Sequence, residues 1–172
     1  MKIVLAALAG AVIVFIASAI LHIVTPLGTA GLSVFPNEKP VLDAFRANVP
    51  RSGMYMFPAP PETERGAPYG LLVITNEGTG GMTPVQLVLE FVTNFIAALI
   101  AAWVLTLCRA SYGTRVAVVV LFALFAFFSI SASHWIWYKY PSPFILAELV
   151  MEAISWLLAG LAMAKIARPA IA

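Results

Sequence analysis

Charge is scarce in this chain. Asp, Glu, Lys and Arg make up 10% of its 172 residues, where a soluble domain carries about 25%. The deficit excludes an ordinary soluble enzyme. It excludes intrinsic disorder more firmly, because disorder needs high charge and low hydrophobicity. Ten basic residues against eight acidic ones leave a net +2, too balanced for a nucleic-acid footprint, so no nucleic-acid partner is expected. Cysteine occurs once, at Cys108, which excludes an intrachain disulfide and any zinc site built on several thiolates. The stretch Gly78 to Gly81 is rich in glycine, but no Lys-Ser/Thr follows it, so it is no phosphate cradle.

What the chain has instead is apolar length. It is 62% hydrophobic with a mean hydropathy of +0.95. About 20 apolar residues cross the roughly 30 Å of bilayer hydrocarbon. Four stretches qualify: Ile3 to Val24 and Val116 to Trp137 without charge, Pro84 to Cys108 with Glu90, and Pro143 to Ala164 with Glu148 and Glu152. The expected fold is therefore a membrane all-α protein: a four-transmembrane-helix bundle with a small α+β extracytoplasmic cap, residues 25–82, between helices 1 and 2. Lys2, Arg109, Arg115, Lys165 and Arg168 fall on one side of alternating spans, and the opposite short loop holds only Lys139. By the positive-inside rule both termini are cytoplasmic and the cap is outside. Trp135, Trp137, Tyr138 and Tyr140 then anchor the outer interface. The first span carries Lys2 and the small triplet Ala17-Ser18-Ala19, as a signal peptide would. Its apolar run continues to Val24, beyond an h-region of about 7–15 residues, so an uncleaved anchor is expected.

Within the cap, Asn37 to Asn48 reads as a short amphipathic helix with Pro40 in its first turn and Val41, Leu42 and Phe45 on one side. Met54 to Phe57 and Leu71 to Thr75 are β-prone. Pro58 to Pro68 is expected to join them as a loose hairpin, and Asn76 to Gly81 returns the chain to the membrane. A cap this small is expected to lean on the helices or on a partner.

The polar residues inside the spans point to function, because an ionisable group in hydrocarbon is expensive and faces the bundle interior. At 100° per residue, Glu90, Asn94, Ala97 and Ala101 share one face within about 40°. Glu148, Glu152, Ser155 and Ala159 repeat that spacing. Ala7, Ala11, Ser18 and His22 share a face within about 60°. Three small-residue stripes thus lead to polar groups near the outer ends, and close packing of small residues turns them toward each other. His134 lies at the outer end of the third span on the face of Ala123, Phe127 and Ile130, away from the small stripe Ala126, Ser129 and Ser133. The arrangement suggests two hairpins repeated about an axis along the membrane normal.

Four chemistries fit the cluster: a hydrogen-bonded plug with its carboxyls protonated or paired, a proton or ion relay, a metal or haem held by histidines and carboxylates, and acid–base catalysis on a lipid. The Glu-x-x-His signature of di-iron bundles is absent. No cofactor is named by the sequence. Cys108, beside Arg109, is a site for palmitoylation or a small hydrophobe. Met54 and Met56, on one side of a strand, suit soft copper or ordinary packing.

His22-Ile-Val-Thr-Pro-Leu-Gly28, Phe35-Pro-Asn-Glu-Lys-Pro-Val-Leu42, Gly53-Met-Tyr-Met-Phe-Pro58, Leu89-Glu-Phe91 and Trp135-Ile-Trp-Tyr-Lys-Tyr-Pro141 running on to Ala147-Glu-Leu149 resemble a family of uncharacterised bacterial four-span integral membrane proteins. The resemblance covers nearly the whole chain. It implies the fold and a membrane location but no mechanism. In that family a tyrosine often stands in the place of His134, which implies a site built on His22, Glu90 and Glu148. With no complete catalytic motif, the expected role is an accessory subunit or assembly module of a larger bacterial membrane complex, with the lipid bilayer and other membrane subunits as partners. The alternative is a small proton, ion or solute carrier, or a membrane enzyme, using the Glu/His cluster.

Overall fold

The computed structural model describes residues 1–58, 66–76 and 82–167. Helix α1 spans Lys2–Val24 and ends in a 3-10 turn, Pro26–Thr29. The cap follows with α2 (Glu38–Asn48), β1 (Gly53–Phe57) and β2 (Gly70–Ile74). The chain returns through α3 (Pro84–Leu107) and α4 (Tyr112–Ala126), which passes through a π turn, Phe127–Ser131, into α5 (Ala132–Tyr138). Helix α6 (Ser142–Ile166) closes the sequence of elements. Four segments are long and apolar enough to cross a membrane: α1, α3, the continuous run Tyr112–Tyr138, and α6. That run is called the third span below.

Local chemistry sets the ends. Thr83 and Gln86 form a capping box at α3, with Pro84 in its first turn, so orphan N–H groups find partners where the helix begins. The third span starts four residues before the expected Val116, because Ser111 caps it by accepting from the Thr114 N–H. This places Arg115 inside the helix, where it is buried and donates to the Ala167 carbonyl. A charge excluded from the span by hydropathy is thus absorbed by a backbone acceptor. Nearby, the Tyr112 hydroxyl donates to the Leu161 carbonyl at 2.8 Å.

Helix α1 packs along α3 on one side and α6 on the other, and α6 packs along the third span. Helix α3 and the third span barely touch. Small residues make the close approaches: Ala6, Ala7 and Ala11 of α1, Ala98, Ala101 and Ala102 of α3, and Ala159 of α6 are buried together. A Cβ at Gly10 of α1 would meet the Met163 side chain and lie 3.2 Å from the Ala98 Cβ, so a small residue there suits the close packing of α1 against α3 and α6. The core with Leu105, Val119 and Met163 fills the half of the bundle nearest the chain termini. The expected two-hairpin repeat is not formed. Its axis would make the pairing of α3 with the third span match that of α1 with α6, yet the second pair is intimate and the first is open.

In the cap, β1 and β2 pair antiparallel with Tyr55 opposite Leu72. Both strands begin one residue before the expected positions. The Asn76 side chain donates to the Val49 carbonyl at 3.1 Å, and its N–H donates to the Ser52 Oγ at 2.9 Å, closing the strand pair against the end of α2. Of the expected hairpin loop Pro58 to Pro68, residues 59–65 lie outside the described residues, as do 77–81 of the glycine-rich return and Arg168.

Candidate functional site

Above the packed half, the four spans diverge around a cavity of about 700 Å³. Helices α1, α3 and α6 present the polar ends of the faces that their residue spacing predicts. Helix α1 contributes Ser18 and His22, α3 contributes Glu90 and Asn94, and α6 contributes Glu148 and Glu152. Of the residues singled out by helical phase, Ser18, His22, Glu90, Asn94, Ala97, Glu148 and Glu152 border one space, while Ala7, Ala11, Ala101 and Ala159 lie in the packed core below it. The lower boundary is a polar tie between helices. The Ser18 hydroxyl donates to the Val14 carbonyl at 2.7 Å and to the buried Ser155 hydroxyl at 3.3 Å, pinning α1 to α6. At the upper end of α1, Thr25 Oγ1 accepts from the Leu27 N–H at 3.2 Å and donates to the Leu21 carbonyl. A Cβ at Gly28 would overlap the His22 carbonyl. The 3-10 turn thus folds back onto the backbone that carries the imidazole.

The carboxyls border the cavity rather than plug it. Asn94 Nδ2 donates to Glu90 Oε1 at 3.1 Å within α3. Glu148 Oε2 is buried and has no hydrogen-bond partner among the described residues. Glu152 faces the Trp156 indole of its own helix and lies within electrostatic reach of both Glu90 and Glu148. Among the described residues, no Lys or Arg lines the space. Its remaining walls are mostly apolar and include Phe15, Phe127 and Trp156. Among the described residues, no three His, Cys, Asp or Glu side chains come together as a metal site.

The third span supplies the wall that helical phase did not foresee. Ala126 of the small stripe lines the cavity, but Ser129 and Ser133 do not, and Ala123, Phe127, Ile130 and Ser131 do. His134 follows the cavity-facing residues by plain 100° counting. The π turn takes up an extra residue, so the helix beyond it lags in phase. The His134 ring is carried off the cavity and lies beside Tyr138 and Tyr140, with centroids 5.8 and 5.4 Å away. Thr93 also lines the cavity. It sits one residue before Asn94, and a single polar threonine in an apolar helix carries no distinguishing signal.

The other candidates stand apart. Met54 and Met56 share an exposed face of β1. Cys108 is half-buried just past the end of α3. No family model, curated protein or solved structure matches the chain.

Proposed function

We propose that the chain is a multi-pass protein of the bacterial inner membrane whose cavity binds a small ligand, and that it acts as a carrier for it. In this reading both termini are cytoplasmic and the cap stands outside, as the lysine and arginine distribution favours. The resemblance to bacterial four-span proteins supports the same address. One observation carries the proposal. His22, Glu90, Asn94, Glu148 and Glu152, from three helices, line a single space of about 700 Å³, within the range of small-molecule sites. A plug that merely fixed helix register would spend these groups on bonds between helices. Here that work falls to Ser18 and Ser155, which leaves the carboxyls available. Binding fits better than catalysis, because no nucleophile stands hydrogen-bonded to His22 among the described residues.

Native mass spectrometry of gently extracted protein tests the reading. The wild type should carry a small adduct, and Ala126→Trp, which fills the cavity from the third span, should lose it. Equal adducts on both proteins, or none on either, would overturn it.

A second reading, an accessory subunit docked to another membrane subunit, draws on the cap. Leu32, Val34, Phe35, Met54 and Val73 are all exposed there. Stoichiometric co-purification that is lost on Val34→Asp but kept on Ala126→Trp would favour that reading.

A further inference from the structure

We infer that the cavity selects a lipophilic cation, an ammonium-type centre on an apolar body, admitted sideways between α3 and the third span. The inference rests on the binding role proposed above and adds the ligand class. The charge balance of the lining leads to it. Among the described residues, the titratable groups facing the space are His22 from α1, Glu90 from α3, and Glu148 and Glu152 from α6, while the third span adds only hydroxyl and apolar groups. Three carboxyls thus face at most one imidazole. An anion would be repelled. A neutral apolar guest would dry the carboxyls without compensating them, which is costly. Among the described residues, a small hydrated metal ion finds neither a set of three ligands nor mostly polar walls. A cation with an apolar surface satisfies both halves of the lining at once. Its charge meets the carboxylates, Glu148 with its unpartnered oxygen among them, and its body meets Phe15, Phe127 and Trp156, whose ring faces attract cations.

The entry route follows from the packing. Three of the four neighbouring helix pairs are closed, and the fourth, α3 with the third span, is open. Glu90, Thr93 and Asn94 of α3 and Ile130 and Ser131 of the third span line the cavity from the two helices that border the gap. In a bilayer this gap faces lipid, so the guest must be soluble there. Two sources offer the same chemistry: a free lipophilic cation, or a lipid with an amine-bearing headgroup.

Equilibrium dialysis of the purified full chain in maltoside micelles tests this with two probes of one shape and opposite charge, tetraphenylphosphonium and tetraphenylborate. The phosphonium should bind and the borate should not. Glu148→Gln should weaken phosphonium binding about 30-fold or more, the loss typical of breaking a desolvated charge pair. Glu148→Asp, which keeps the charge, should retain most of it, and circular dichroism should show both variants folded. Competition by lysyl-phosphatidylglycerol but not by phosphatidylglycerol would identify the lipid source, and no competition by either would identify the free cation. Equal binding of both probes, or phosphonium binding indifferent to Glu90→Gln, Glu148→Gln and Glu152→Gln yet abolished by Ala126→Trp, would overturn the cation inference and leave the binding cavity standing. Failure of both probes, with no adduct in native mass spectrometry, would remove the cavity's binding role itself.

Discussion

At the scale of single residues, the molecule separates groups that hold the fold from groups that hold the cavity open. Gly28 belongs to the first kind and acts on the second. Because a Cβ there would overlap the His22 carbonyl, Gly28→Ala must push the 3-10 turn away from the end of α1. A cost of about 1–3 kcal/mol is expected, as for other overpacked sites, together with displacement of the imidazole from the cavity rim. Thermal unfolding in detergent and the His22 ring resonances check both effects. Asp43 is purely a matter of the cap. Its carboxylate accepts from Lys39 at 2.6 Å and pairs with Arg46 at 3.0 Å. The Lys39 hydrogen bond, helped by Arg46, holds its carboxyl below the ordinary aspartate value. A lowered folded value means that the pair stabilises α2 above the ordinary titration of aspartate, near pH 4, and that this support fades as pH falls through the lowered value. The site is fully solvated, so salt should weaken the effect. A carboxyl titration by NMR should place the Asp43 midpoint below that of a free aspartate, and Lys39→Ala should move it back up.

At the scale of elements, much of the site was legible because helical phase is local. Glu90 and Asn94, like Glu148 and Glu152, stand four residues apart, and any uninterrupted α-helix places such pairs on one face. The capping box at Thr83 and the strand pair in the cap are equally local signals. The π turn is not. Phe127-Phe128-Ser129-Ile130-Ser131 contains no proline or glycine to mark a break. That is why plain counting from Ala123, Phe127 and Ile130, which line the cavity, does not reach the position of the His134 ring. The turn also shapes the wall, since Phe127, Ile130 and Ser131 all line the cavity. Phe128 points away and is exposed. Deleting Phe128 removes the extra residue and lets the third span run as an α-helix with its flanks in register. Helicity should be kept, whereas phosphonium binding should fall at least about tenfold, the loss expected for roughly 1.4 kcal/mol of lost contacts. Unchanged binding would reduce the turn to a packing accommodation.

At the scale of the whole molecule, the decisive feature is an asymmetry that no single helix encodes. Each span carries small residues, and their stripes alone would allow a closed, two-fold bundle. The structure closes three contacts and leaves α3 apart from the third span, with the alanine-rich core confined to the half nearest the termini. The bundle is therefore rigid at one end and divided at the other, an arrangement suited to opening and closing by small movements of α3 about its packed lower half. Tying α3 to the third span should separate shape from chemistry. In a Cys108→Ser background, cysteines at Thr93 and Ile130 can be joined by a flexible bifunctional maleimide. The linked protein should exclude tetraphenylphosphonium when the probe is added afterwards, and it should trap probe added before linking. The same linker between cysteines at Ile16 and Leu158, which border an apolar surface groove between α1 and α6 away from the polar cavity, should do neither. If the link from Thr93 to Ile130 leaves entry unaffected, the guest reaches the carboxyls by another route, and the open seam between α3 and the third span is a gap filled by lipid rather than a doorway.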